Sequence, residues 1–252
     1  MRRIRLIVAY DGTSYAGWQI QENAATVEGE LTKALQIWLK EDVALIGASR
    51  TDSGVHALGN IAVFDTESCI PAEKFAIGVN HYLPEDIRVQ CSEEVPADYH
   101  PRYRQTEKTY EYTILNTKIS LPVWQRYAYH VYRDLDIPAM QKAGELLVGE
   151  HDFSAFCSAG SQVKSKVRTV YEVSVMTEPV LSCNGGHIVR IRVRGNGFLY
   201  NMVRIIAGTL LDIGQGRRTL EEVKQALATG ERRLAGPTAP PQGLMLVEIR
   251  DV

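Results

Sequence analysis

Strand-like and helix-like patterns alternate along this chain in two rounds of similar grammar. In the first, IRLIVAYDG (4–12) reads as a strand, VEGELTKALQIWLK (27–40) carries apolar residues at helical spacing, and NIAVFDT (60–66) returns as a strand. PAEKFAIGVNHYL (71–83) opens with Pro71 where a helix would start, and IRVQCSEEV (87–95) closes the round as a strand. The second round begins with KTYEYTIL (108–115), a strand that sets Tyr110 and Tyr112 on one face, followed by the helical IPAMQKAGELLVG (137–149). TVYEVSVMTE (169–178) and HIVRIRVRG (187–195) are strands, LYNMVRIIAGTLLDIG (199–214) and TLEEVKQALAT (219–229) are helices, and GLMLVEIRDV (243–252) is a closing strand. The pattern predicts an α+β protein whose halves are pseudo-repeats, with sheets that join edge to edge across a cleft. ADYHPRYRQTE (97–107) is the natural joint, so the expected division is 1–103 and 104–252.

Composition adds limits. With 252 residues, 45% apolar and 8% aromatic, the chain can bury a sizeable core. No apolar run approaches the roughly 20 residues that span a bilayer, so a cytoplasmic protein without membrane contact is expected. The four cysteines, Cys69, Cys91, Cys157 and Cys183, show no metal-site spacing, which predicts free thiols and no metal.

The net charge of −2 hides an asymmetry. Residues 1–100 carry 8 Lys and Arg against 15 Asp and Glu, and residues 101–252 carry 20 against 15. The cations of the second half cluster at Arg102, Arg104 and Lys108; Lys164, Lys166 and Arg168; Arg190, Arg192 and Arg194; Arg217 and Arg218; and Arg232 and Arg233. Such clusters suit a polyanion such as RNA, or are solvated faces paired with nearby acids.

GASRTDSGVHALG (47–59) is the stretch most suggestive of chemistry. Its three glycines can bring the backbone close to a ligand, and Arg50 and Asp52 are spaced to face one pocket. A carboxylate so placed can act as a nucleophile at an acetal-type carbon; the plain reading of an isolated Asp-Ser-Gly is an Asx turn.

GASRTDSGVHA resembles the GxGRTDxGVHA signature of the tRNA pseudouridine synthase A family. YDGTSYAGWQIQ (10–21) is similar to that family's YDGTxYxGWQxQ stretch, KTYEYTI to its central tyrosine strand, and GEHDFSAF (149–156) to its GxHDFxxF segment. GNGFLYNMVRIIAGTLLDIG (195–214) and APPQGLMLVEI (239–249) resemble its carboxy-terminal blocks. The resemblance runs through the chain in order, with one departure: Ser49 stands where the family usually has Gly.

The resemblance implies two ferredoxin-like halves with antiparallel sheets joined across a central RNA-binding cleft. It implies isomerisation of uridine to pseudouridine at positions 38, 39 and 40 of the tRNA anticodon stem-loop, in a homodimer without a cofactor. Asp52 matches the catalytic aspartate, which attacks ribose C1′, adds to base C6 or starts a glycal route. Tyr110 matches the tyrosine that stacks on the target base and assists loss of the C5 proton, and Arg204 the arginine that pairs with the aspartate. Arg50 would contact RNA or help extrude the base, and Leu244 or Leu246 falls at the apolar pocket wall. Trp18 and Gln19 are candidates for RNA contact or for burial, His56 is read as structural, and His151 with Asp152 lacks a third metal ligand. The competing classes are a non-catalytic RNA-binding module and a nucleoside hydrolase or metal-dependent phosphohydrolase.

Overall fold

A computed structural model describes all residues except 161–162 and 182–184, and Cys183 therefore lies outside the described residues. Contacts divide the chain into two compact units, Met1–Thr106 with Met245–Val252, and Glu107–Leu244.

The first unit is built on β1 (Arg2–Tyr10), α1 (Val27–Leu39), β2 (Ile46–Gly47), β3 (His56–Thr66), α2 (Phe75–Val79), β4 (Ile87–Val95) and the last strand, β10 (Leu244–Asp251). Strand order is β4-β1-β3-β10, with β2 beside β3. In β1, Ile4, Leu6, Val8 and Tyr10 point into the core while the residues between them are half-buried, the period-two pattern of a strand with one covered face. Thr26 caps α1 by accepting the Gly29 N–H, and Val27, Leu31, Ala34 and Leu35 form its buried stripe.

The helix expected over 71–83 is shorter than its pattern. Pro71 is extended, a 3-10 turn covers Ala72–Lys74, and α2 holds five residues. Asn80 ends it by pairing with β4: its Nδ2 donates to Val89 O at 2.9 Å and its Oδ1 accepts the Val89 N–H at 2.8 Å. Gly78 packs under Trp38, where a Cβ would lie 2.0 Å from the indole.

The second unit contains β5 (Thr106–Asn116), β6 (Tyr129–Val131), α3 (Ile137–Glu145), β7 (Gly149–Asp152), β8 (Val167–Pro179), β9 (His187–Gly195), α4 (Met202–Gly214) and α5 (Leu220–Thr229). Strand order is β5-β9-β8-β7, all antiparallel, with β6 on β5. Two pairings depart from the expected antiparallel sheets: β10 runs parallel to β3, with Met245 opposite His56, and β6 runs parallel to β5. Neither strand is reached through a tight hairpin, so a longer connection sets its direction. HDFSAF (151–156), whose pattern reads as a helix end with packed phenylalanines, is instead the end of β7 followed by a 3-10 turn over Ser154–Phe156. Asp152 Oδ1 accepts from Ser154 N and Oγ there, and Phe153 and Phe156 are fully buried. Helix α4 begins three residues later than its pattern because Asn201 is left-handed, with φ at 60°.

Among the described residues no helix is long and apolar enough to cross a membrane, and Cys69, Cys91 and Cys157 are free thiols.

Helix α4 is buried on nearly all sides, and the segment 236–239 lies against it. Gly236 N–H donates to Thr209 Oγ1 at 2.8 Å, and a Cβ on Gly208 would stand 1.9 Å from Pro237 O. Gly208→Ala is therefore expected to lower unfolding stability by about 1–3 kcal/mol, the usual cost of overpacking, read as a shift of the urea midpoint.

Candidate functional site

Residues 47–59, which hold Arg50, Asp52 and His56, are tied to the segment that follows β1. Trp18 N–H donates to Thr51 O at 3.1 Å and Gly54 N–H to Tyr15 O at 3.3 Å. Ser53 Oγ donates to the same Tyr15 carbonyl at 3.2 Å. Tyr10 Oη and Thr51 Oγ1 lie 2.7 Å apart, and the buried Asn60 Nδ2 donates to Ser49 O at 3.0 Å and to Tyr10 Oη at 3.3 Å. Backbones this close exclude side chains: a Cβ on Gly17 would lie 2.6 Å from Thr51 O, and one on Gly12 2.0 Å from Val55 O.

Between these anchors, Val55 N–H donates to Asp52 O at 3.1 Å and closes a four-residue turn with Gly54 at φ +76°. The acceptor is the Asp52 main-chain carbonyl, so this is a main-chain turn and not in itself the Asx turn of the plain reading. The structure adds that both flanks of the turn are fixed, leaving Asp52 half-buried and Arg50 exposed. His56 is 2% exposed, its Nδ1 at 3.1 Å from both Gly12 N and Asp11 Oδ1, which makes it a joint between β3 and the turn after β1. Trp18 is fully buried and Gln19 exposed, so the burial alternative holds for the tryptophan. Leu246 is fully buried and pairs with Ala57 on β3.

The second unit holds Tyr110, Arg204 and Leu244. Tyr110 and Tyr112 share the buried face of β5, and Tyr110 meets Phe198 edge-on at 5.3 Å. Arg204, in the first turn of α4, donates from Nε to Ala239 O and from Nη1 to Asn201 Oδ1, both at 2.8 Å. The Ala239 N–H donates back to Arg204 O at 3.1 Å, and Tyr112 Oη donates to Pro240 O at 2.8 Å. Arg204 and Tyr112 thus hold the strip that leads into Leu244, which is 5% exposed. His151 Nε2 lies 3.0 Å from Val148 O and Asp152 caps a turn, and among the described residues no group of three or more His, Cys, Asp or Glu could hold a metal ion.

The basic clusters separate into two kinds. Glu111, on the other face of β5, bonds Arg190 at 2.9 Å and Arg192 at 3.1 Å, and Arg194 bonds Glu107 at 2.7 Å. Arg218 meets Asp212, Glu222 and the Leu234 carbonyl, and Arg233 meets Glu231. These are the acid-paired faces of the plain reading. Lys164, Lys166 and Arg168 have no carboxylate partner among the described residues, and Arg168 donates only to Ser165 O and Val167 O. One further contact had no signal in the sequence: Arg102 Nε donates to Gly47 O at 2.7 Å, linking residues 55 positions apart.

A family model described as tRNA pseudouridine synthase matches residues 6–104 and 143–250. The chain is 46% identical over 249 residues to the tRNA pseudouridine synthase A of Acetivibrio thermocellus, covering 99% of each chain. It is 47% identical to those of Ruminiclostridium cellulolyticum and Brevibacillus brevis, again over 99% of each. Among solved structures, a Cbf5-Nop10-Gar1 complex matches at a TM-score of 0.31 and 12% identity, over 97% of this chain and 47% of that one, a likeness too low to bear on the fold.

Tyr15, whose carbonyl anchors the Asp52 turn, has a perturbed phenol. Burial, and next the hydrogen bond that its Oη donates to Asp86 Oδ1 at 2.6 Å, push its pKa well above the ordinary 10. The folded chain keeps this proton where the unfolded chain loses it, so the stabilisation is complete below pH 10 and is lost as pH rises above it. Unfolding midpoints measured across pH 9 to 11.5 should fall, and fall less steeply in Tyr15→Phe.

Proposed function

The chain belongs to the tRNA pseudouridine synthase family, and on that premise we propose that it converts uridine to pseudouridine at positions 38, 39 and 40 of the anticodon stem-loop, with Asp52 as the nucleophile. The N1–C1′ bond breaks, the C5–C1′ bond forms, C5 loses its proton and N1 gains one, so the product has the mass of the substrate. The observation that carries this reading is the anchored turn: Thr51 and Gly54 are fixed on either side of Asp52, so its carboxylate is presented without the cost of ordering a loop at each turnover. Attack at C1′, addition to C6 and proton removal in a glycal route each require Asp52 ionised.

The other roles follow the resemblance. Tyr110 stacks on the target base and assists removal of the C5 proton. Arg204 supplies the countercharge that keeps Asp52 ionised and oriented. Arg50, exposed beside Asp52, contacts the RNA or helps extrude the base, and Leu244 walls the base pocket. Two ferredoxin-like pseudo-repeats, a homodimer and a cytoplasmic setting complete the proposal.

Asp52→Asn keeps the shape and removes the charge. It should bind tRNA as the parent does and form no pseudouridine by carbodiimide mapping; formation beyond a trace from deamidation would sink the assignment. Arg204→Lys should keep binding and lose most of the rate, since an ammonium lacks the planar fork.

Salt dependence tests which cations face the RNA. Neutralising Lys164 and Lys166 together should flatten the slope of log K against log salt by about two, at roughly one per phosphate contact. Arg190→Gln with Arg192→Gln should leave it near the parent value, because Glu111 and Glu178 already pair with those side chains.

A further inference from the structure

The segment after β4 carries an aromatic pair that the fold does not need. Tyr103 is 85% exposed, yet its ring lies on that of His100 at a centroid distance of 4.0 Å and an interplanar angle of 21°. The pair is preformed: Arg102 N–H donates to His100 Nδ1 at 3.2 Å, and Tyr103 N–H to His100 O at 3.2 Å, closing a turn around the buried Pro101. The turn is fixed at its base by Tyr99, which is 4% exposed and whose carbonyl accepts from Arg3 Nη1 at 2.9 Å. At its tip, Arg102 bonds the carbonyl of Gly47, five residues before Asp52 and three before the exposed Arg50.

We propose that the His100–Tyr103 turn is a tRNA-docking platform: the open face of Tyr103 takes an unpaired base, and Arg102 couples that contact to the main chain of the Asp52 loop. The proposal rests on the reading of the chain as a tRNA enzyme and adds a binding element to it. A side chain 85% exposed contributes little to the core, so its ordered stack is available to a ligand. A base has a flat face that an aromatic ring matches whatever its sequence, and stacking on a ring already oriented costs little further ordering. The surroundings favour RNA over a protein: Tyr103 is followed in the chain by Arg104 and Gln105 and preceded by Arg102, where a protein-docking patch would be apolar. Of the two arginines it is Arg102 that is uncommitted, since Arg104 lies over the Tyr99 ring at 5.0 Å and meets Asp251 at 3.9 Å. Arg102 spends only Nε on Gly47 and has no carboxylate partner among the described residues, so its terminal nitrogens are left for a phosphate.

The test uses the full chain and an unmodified tRNA transcript. Tyr103→Ala should raise the tRNA Kd about tenfold with an unchanged salt slope and melting temperature, and Tyr103→Phe should restore the parent Kd. Arg102→Gln should reduce the salt slope by about one and also lower kcat at saturating tRNA, because the loop loses its tie. Parental Kd and kcat in Tyr103→Ala would overturn the platform and leave the surface to another partner, a protein included. A melting temperature that falls in step with affinity would overturn it too, as a folding role. If the parent binds tRNA through Tyr103 but forms no pseudouridine, the enzymatic reading fails and the platform stands; if the parent modifies tRNA and Tyr103→Ala is neutral, the reverse holds.

Discussion

Thr51 and Gly54 both bond to the segment between β1 and α1, at the backbone atoms of Trp18 and Tyr15, and this leaves the dipeptide between them almost no freedom. The approach depends on residues that look unrelated in sequence. Gly12 and Gly17 admit the opposing carbonyls, Trp18 fills the space under Gly47, and Asn60 joins Ser49 O to the Tyr10 hydroxyl. None of these is a reacting group. Fixing a backbone costs roughly 1–2 kcal/mol per residue, and here folding meets that cost, so it does not recur each time a substrate arrives.

The same constraint explains why the site motifs were legible as strings but not as a device. YDGTSYAGWQIQ and GASRTDSGVHALG each stand out by their glycines, yet nothing in either says that one donates hydrogen bonds to the other across more than thirty residues. Long periodic elements were legible: β1, α1, β9 and α5 appear where their patterns place them, because burial on one face forces the spacing. The two-residue β2, three-residue β6 and four-residue β7 are too short to show a period. β7 in particular hides in GEHDFSAF, where packed phenylalanines dominate the pattern and pairing with β8 decides the conformation. Asn80 and Asn201 shorten α2 and delay α4 through a side-chain bond and a left-handed backbone, choices that hydrophobic spacing does not encode.

Arg102 belongs to a class of contact that sequence reading misses for a simple reason. Its partner is a main-chain carbonyl, which every residue possesses, so neither charge complementarity nor a motif marks it. Arg204 is similar: a charge among the apolar neighbours Met202, Val203, Ile205 and Ile206 needs partners, and two of those it has are the Ala239 carbonyl and the Asn201 amide oxygen.

Cation counting is a poor guide to an RNA surface for a related physical cause. Counterion release rewards a cation only for phosphate that it neutralises anew. Glu111, with a side chain only 14% exposed, already spans Arg190 and Arg192, and breaking such bonds to reach a phosphate would strand a half-buried carboxylate. Arg218, equally sheltered, is held by Asp212, Glu222 and a carbonyl, which makes it a strut between α4 and α5. Arg168 differs in having backbone oxygens alone, and burial draws its pKa below the usual arginine value, the mark of a cation whose environment has not compensated its charge. An anion arriving beside it would regain what desolvation cost, and so the excess charge of residues 101–252 is worth most where acids are missing, not where arginines are densest.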